Sequence, residues 1–117
     1  MAVAGRKVSI PCSANMPTDM KKPCSSLTEV RDSIDKIDSV LVPILAERAD
    51  LVSQAAGFKP TREAVVDHPR IEQIIAKVRE MAEANSTDPE LMEAIYRSMI
   101  DAYIAFESRV WDAKDEV

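Results

Sequence analysis

A single apolar stripe near the start of the chain constrains the fold more than any other feature. Between Leu27 and Ala55, apolar residues recur at steps of three and four positions. This is the period of an α-helix with one apolar face. Ser26 and Glu29 have capping-box spacing at its start, and Gly57 is a residue type that commonly follows a helix end. The pattern therefore predicts an amphipathic helix of about thirty residues.

Proline and polar residues divide the rest of this helical pattern. Pro43 falls inside the first stripe, which continues in phase on both sides, so we expect a bend there and not a break. A polar connection follows the first helix. Asp67 or His68 then caps a second helix that ends near Ala84.

A third helical pattern completes an all-α chain. It spans about residues 89–113, and Thr87 and Glu90 again have capping-box spacing. The whole chain has 2 glycines, too few for the turns of a many-stranded sandwich or barrel. Residues 1–24 carry three prolines and no clear period. We interpret them as a tail or arm and residues 25–117 as one helical domain.

The length of the first helix predicts an assembly. Thirty helical residues extend about 45 Å, more than the width of a compact body of this size. The far end of the helix must therefore pack on something other than its own chain. A second copy is the simplest partner, so we expect an intertwined homodimer.

Composition excludes several classes of function. With 15 basic and 20 acidic residues, the net charge is −5, which does not favour a general nucleic-acid binder. One histidine and two cysteines leave few ligands for zinc, and we expect no metal or cofactor. No apolar run approaches the ~20 residues of a membrane span, and residues 1–10 lack the apolar core of a secretory signal. We expect a cytoplasmic protein with Cys12 and Cys24 as free thiols.

Two arginines lie on or beside the apolar stripe of the first helix. Arg48 falls in its middle and Arg31 at its border. A charge that faces a core must be paired with an acid or must bind something. The two residues are about 25 Å apart along one helix, so one small ligand cannot touch both. If two long helices pair antiparallel, Arg31 of one copy can approach Arg48 of the other.

Glu107 is the third unusual charge. Its neighbours one helical turn away are Tyr103, Ile104, Val110 and Trp111. Such surroundings desolvate a carboxylate and raise its pKa. The alternatives are that Glu107 reaches solvent or pairs with a lysine or an arginine.

Two further cations complete a candidate site. Lys59 follows the first helix and Arg70 opens the second, although each could instead be a surface residue. Four cations and one acid on an apolar bundle suit a small dicarboxylate, since arginine forks bind carboxylates bidentately. The single histidine, His68, gives no support for a nucleophilic triad.

The same residues resemble a known family. The stretch from Val30 to Asp38 resembles the all-helical chorismate mutases and the related isochorismate pyruvate lyases. The other matching motifs follow at the family's spacing and together cover about residues 24–113: Ala46-Glu47-Arg48, Phe58-Lys59, Pro69-Arg70 and Ile95-Tyr96-Arg97 through Ile104 to Glu107.

The resemblance implies a fold and a set of roles. The family fold is an intertwined dimer of three-helix chains, in which an arginine, here Arg31, crosses to the partner's site. It implies Arg48, Lys59 and Glu107 as catalytic residues, the last two at the breaking ether oxygen. The substrate-binding set is Arg31, Arg48, Lys59, Arg70, Ile71, Tyr103 and Glu107.

The implied reaction is the Claisen rearrangement of chorismate to prephenate, with a small-molecule substrate and no cofactor. We expect it to be faster at acidic pH, where Glu107 can donate a proton. Ile71 departs from the best-known mutases, which place a glutamate there, and it favours the lyase alternative. Glu107 favours the mutase, because the lyases resemble members with glutamine at that position. One remaining alternative is a non-catalytic dimer that binds a carboxylate metabolite or a partner protein, with Glu107 then paired to a cation. Another is a purely structural bundle, which predicts ordinary salt bridges for Arg31 and Arg48 and no pocket.

Overall fold

The computed structural model describes residues 23–114, which form helices and connections with no strand among them. The elements in chain order are α1 (Leu27–Ala56), a short 3₁₀ helix (Arg62–Val65), α2 (His68–Ala84) and α3 (Pro89–Lys114). The predicted all-α class and the three helices are confirmed. Residues 1–22 of the proposed arm lie outside the described residues, and the division of the chain at residue 24 stays a prediction.

Local hydrogen bonds explain the bounds of α1. The Ser26 hydroxyl accepts a hydrogen bond from the Glu29 backbone N–H at 3.1 Å. The Glu29 carboxylate accepts from the backbone N–H and the hydroxyl of Ser25. At the other end Gly57 has φ −66°, so the helix ends there without the left-handed conformation that favours glycine. α1 continues through Pro43 as one helix.

The caps of the other two helices were predicted with different success. Asp67 caps α2, since its Oδ1 accepts from the Arg70 backbone N–H at 3.1 Å. The prediction of Thr87 as the cap of α3 is wrong by one residue. Because α3 begins at Pro89, Asp88 occupies the cap position, and its Oδ1 accepts from the Glu90 N–H at 2.9 Å.

α3 is the central helix, because it packs against α1, the 3₁₀ helix and α2. The buried apolar residues lie at the end of α1, in the 3₁₀ helix and on α2 and α3: Ala56, Val65, Ile75, Val78, Ala82 and Ile100. The first half of α1 lacks such cover. Its exposed large apolar residues before Pro43 are Leu27, Val30, Ile34, Ile37, Val40, Leu41 and Val42.

This uncovered face agrees with the expected second copy, which stays a prediction. The chain is elongated, measuring 54 × 25 × 23 Å, as a thirty-residue helix requires. Among the described residues, no helix combines the length and apolar character needed to cross a bilayer. The cytoplasmic location stays a prediction. Cys24 is an exposed free thiol, and Cys12 lies outside the described residues.

Candidate active site

A cavity of about 510 Å³ lies where the second half of α1, the start of α2 and the second half of α3 meet. Its walls include apolar side chains from all three helices, such as Val52, Ile74 and Ile104. Six of the seven predicted site residues line it: Arg48, Lys59, Arg70, Ile71, Tyr103 and Glu107. The structure therefore brings together side chains that are up to 59 positions apart in the sequence.

Helix ends and helical spacing explain this convergence. Lys59 lies three residues beyond α1, and its backbone N–H still donates to the Ala56 carbonyl at 3.3 Å. Arg70 and Ile71 belong to the first turn of α2. Tyr103 and Glu107 are four residues apart on α3, so they project from one face of that helix.

The Lys59–Glu107 ion pair is the most buried charged contact of the site. Lys59 Nζ donates to Glu107 Oε2 at 2.9 Å. The Glu107 side chain is 9% exposed and the Lys59 side chain 23%. The predicted desolvation of Glu107 is confirmed, and so is the alternative that it pairs with a lysine. A desolvated carboxylate needs such a partner, because an unpaired buried charge is costly.

Arg48 and Arg70 have no carboxylate partner among residues 23–114. The Arg48 guanidinium lies over the Tyr103 ring, 4.7 Å from its centroid. Arg70 Nη1 donates to Gln73 Oε1 at 2.6 Å. Within residues 23–114 of one chain, Arg48 therefore forms no ordinary salt bridge. Two guanidinium groups beside the cavity remain available to an anion.

Tyr103 on the cavity wall makes two contacts with α1 that the sequence did not indicate. Its hydroxyl donates to the Leu45 carbonyl of α1 at 2.7 Å, while its ring supports Arg48. The side chain thus links α3 to α1 and fixes the face over which the guanidinium lies.

Arg31 lies outside this cavity. It is exposed on the first half of α1, and its side chain forms no hydrogen bond or ion pair with another residue among 23–114. Its distance from Arg48, 17 positions along one helix, agrees with the expectation that one chain cannot bring both to the same ligand.

Three polar side chains on or behind the cavity wall were not assigned to the site from the sequence. The Asp67 cap also lines the cavity, which its place three residues before Arg70 could have indicated. Trp111 Nε1 donates to the Lys59 carbonyl at 3.1 Å, and Lys114 Nζ approaches the same oxygen at 3.4 Å. Helical spacing from Glu107 points to Trp111, but no local signal identifies its main-chain acceptor 52 positions away.

The ionised residues around the cavity leave a net positive charge. Three cations, Arg48, Lys59 and Arg70, face two carboxylates, Asp67 and Glu107. One carboxylate is paired with Lys59, and the other caps α2. The arrangement can attract an anionic ligand and can present a lysine donor against an apolar wall.

Comparisons with known proteins agree with this geometry. The family model for chorismate mutase type II matches residues 30–108, a range that contains every predicted site residue. Over 94 residues the chain is 32% identical to the isochorismate pyruvate lyase of Pseudomonas aeruginosa, covering 79% of this chain and 93% of that protein. It is also 32% identical over 77 residues to the T-protein of Enterobacter agglomerans, covering 65% of this chain and 21% of that protein.

Proposed function

The chain belongs to the chorismate mutase type II family, and from this premise we propose that it catalyses the rearrangement of chorismate to prephenate. One observation carries the proposal. The Arg48 and Arg70 guanidinium groups, which have no carboxylate partner among residues 23–114, line one apolar-walled cavity together with Lys59. Glutamate at position 107 favours the mutase over the lyase among relatives of this kind.

The reaction asks for positioning and charge stabilisation. In the rearrangement the ether C–O bond breaks while a C–C bond forms, so no covalent intermediate with the protein is needed. The enzyme must hold the compact conformer of the substrate and stabilise negative charge on the ether oxygen. Arg48 and Arg70 bind the carboxylates in this proposal. Lys59 donates to the ether oxygen, and Glu107 donates from the other side when it is protonated.

We further propose that the working site includes Arg31 of a second copy. The cavity of one chain has one net positive charge, whereas the substrate is a dicarboxylate. Arg31 would supply the second charge, since it is exposed on the uncovered half of α1. This is the intertwined dimer that the length of α1 predicts.

Mixed dimers test the crossing of Arg31. The Arg31→Ala and Lys59→Ala chains should each be nearly inactive. After the two are unfolded and refolded together in equal amounts, activity should return to about a quarter of the wild-type value, because half of the dimers contain one complete site. If Arg31 acted within its own chain, the mixture would stay inactive.

The lyase reaction is a second candidate, and Ile71 is the observation that favours it. Ile71 lines the cavity beside Arg70, at the position where the best-known mutases have a glutamate for the ring hydroxyl. The similarity to an isochorismate pyruvate lyase covers nearly all of that protein. Under this candidate the same cations would act on isochorismate and release salicylate and pyruvate.

A parallel assay with chorismate and isochorismate, from about pH 4 to about pH 8, decides between them. Prephenate formation that is fastest at acidic pH supports the mutase. Salicylate and pyruvate with little chorismate turnover support the lyase, and Ile71→Glu should then shift the preference toward chorismate. Turnover of neither substrate, with no rise in melting temperature on adding a bicyclic transition-state analogue, supports the non-catalytic binding dimer, in which Glu107 is ionised and paired.

A further inference from the structure

Two contacts with α3 hold Lys59, one at its side-chain ammonium group and one at its main-chain carbonyl. Its side-chain Nζ donates to Glu107 Oε2 at 2.9 Å, and its main-chain carbonyl accepts from Trp111 Nε1 at 3.1 Å. Glu107 and Trp111 are four residues apart, so they project from one face of the same helix. One rigid element therefore sets both the position of the Lys59 backbone and the direction of its ammonium group.

Lys114 adds a second contact to the same main chain. Its Nζ lies 3.4 Å from the Lys59 carbonyl oxygen and 3.4 Å from that of Ala56, and 5.0 Å from the centre of the Trp111 ring. α1 has no basic residue in its last turn. Lys114 thus places a cation at the carboxyl end of α1, where the sequence of α1 itself has none. Ala56 is fully buried, so this anchor point is fixed in the core.

The side chains next to Lys59 contribute little to fixing this segment against α3. Phe58, its neighbour, is 86% exposed and packs into no core. The next contact with α3 is the Arg62–Asp112 ion pair, whose side chains are 55% and 47% exposed. Exposed pairs of this kind stabilise weakly. Backbone bonds from Phe58 and Lys59 tie the segment to the end of α1, and the bonds from Trp111 and Lys114 tie the Lys59 carbonyl to α3.

We propose that Trp111 and Lys114 are positioning residues that hold the Lys59 ammonium at its place in the cavity. This inference rests on the proposed function in so far as Lys59 acts on the substrate. Neither residue lines the cavity, so both act through Lys59. A displacement of a catalytic group by ~1 Å can lower a rate by ~10²-fold.

Kinetics of one variant at Trp111 and two at Lys114 test the proposal. Trp111→Phe keeps an aromatic ring but removes the N–H donor, and kcat should fall about tenfold, the equivalent of one lost hydrogen bond. KM should change less than about twofold, because Arg48 and Arg70 still bind the carboxylates. Lys114→Met should lower kcat in the same way, and Lys114→Arg should restore it by keeping a cation at the end of α1.

A matched control removes a different contact between the same segment and α3. Arg62→Gln breaks the pair with Asp112 but leaves the Lys59 carbonyl bonded, so kcat should stay within about twofold of wild type. An equal loss in Arg62→Gln would show that the segment needs tethering at any point, which overturns the specific role of Trp111 and Lys114. A raised KM with unchanged kcat in Trp111→Phe overturns it as well.

Coupling to Lys59 separates positioning from a general structural role. In a Lys59→Gln background, Trp111→Phe should change the affinity for the bicyclic transition-state analogue by less than about twofold, since there is no ammonium left to position. With Lys59 present, the same substitution should weaken binding about tenfold. Equal losses in the two backgrounds contradict the proposal.

One measurement stays informative even if the proposed function fails. Trp111 is the single tryptophan of the chain, so an isotope-labelled sample gives one indole N–H signal. That proton should exchange slowly in the wild type and faster in Lys114→Met, whatever the substrate. If the indole proton exchanges as fast as in free indole, Trp111 does not hold the Lys59 carbonyl and the proposal is wrong. If the proton is protected but the protein turns over neither substrate, only the proposed function is contradicted.

Discussion

α3 forms ion pairs near both of its ends. In the group of charges near its start each member is paired, whereas the group around the cavity near its other end includes arginines without an acid partner in the described part of the chain. Near the start of α3 the charges form what we name the α2–α3 network, which consists of Glu72, Arg79, Glu93 and Arg97. In this network each carboxylate bonds to a guanidinium and each guanidinium to a carboxylate. Near the other end, Glu107 pairs with Lys59, while Arg48 and Arg70 on the same cavity have no acid partner among residues 23–114.

Solvent exposure separates the two groups further. The side chains of the α2–α3 network are 29% to 65% exposed, whereas Glu107 is 9% exposed. Exposed pairs contribute little to stability and are screened by salt, while a buried pair is costly to break. A closed, exposed set of charges aligns two helices, whereas a set with one buried carboxylate and two guanidinium groups that lack an acid is suited to a charged ligand.

The largest expected effect is that of Lys59→Ala. It removes the donor proposed for the ether oxygen, so kcat/KM should fall about 10³-fold. The matched variant Arg97→Ala removes the central guanidinium of the α2–α3 network and should lower the melting temperature while leaving kcat/KM within about twofold. Steady-state kinetics and thermal unfolding of both variants make the test. Comparable losses of activity in the two would erase the distinction between the groups.

Glu107→Gln is expected to have the next largest effect, on pH dependence. The amide keeps an oxygen that can accept from Lys59 and adds an N–H donor that does not depend on pH. If a proton on Glu107 is needed for the reaction, wild-type kcat/KM should be higher at acidic than at neutral pH, and the variant should depend less on pH. Profiles measured with chorismate check this. A variant that keeps the acid limb of the wild type would refute protonated Glu107 as a donor.

Tyr103 offers a smaller effect that sharpens the account of the unpaired arginines. Tyr103→Leu removes the ring under Arg48 and should raise KM about fivefold, as expected for a lost cation–π contact. Tyr103→Phe keeps the ring and loses the bond to the Leu45 carbonyl, so KM should rise about twofold. If the two variants have equal KM values, the ring does not hold the guanidinium.

The sequence predicted local features well, because they depend on neighbouring residues. The bounds of α1 follow from its stripe and the Ser26 cap, and Asp67 was one of two residues predicted to cap α2. Thr87 and Asp88 are adjacent residues that can both cap a helix, and the start of α3 at Pro89 gives the cap position to Asp88.

Contacts between distant residues were beyond local reasoning. The Lys59–Glu107 pair spans 48 positions, and spacing alone left open whether Glu107 meets solvent, a lysine or an arginine. In the structure α3 packs on α1, which places Glu107 beside Lys59, three residues after the end of α1. Arg48 over Tyr103 was missed for the same reason, since the helical pattern shows that each faces inward but not that they meet.

The smallest expected effect concerns Glu93 in the α2–α3 network. Hydrogen bonds from Arg97 and then Arg79 hold the pKa of Glu93 below its ordinary value of 4.5. The pKa of Glu93 is lower in the folded chain than in the unfolded chain. The ion pairs of Glu93 therefore stabilise the fold at pH values above the ordinary pKa, and this stabilisation is lost as the pH falls through the lowered pKa. Glu93→Gln should therefore reduce the melting temperature at neutral pH by no more than a few degrees and make its decline below about pH 4.5 shallower. Thermal unfolding across this range checks the slope, and kcat/KM should stay at the wild-type level. An unchanged slope would mean that the exposed pairs are screened completely, and a loss of activity would mean that the network reaches the cavity after all.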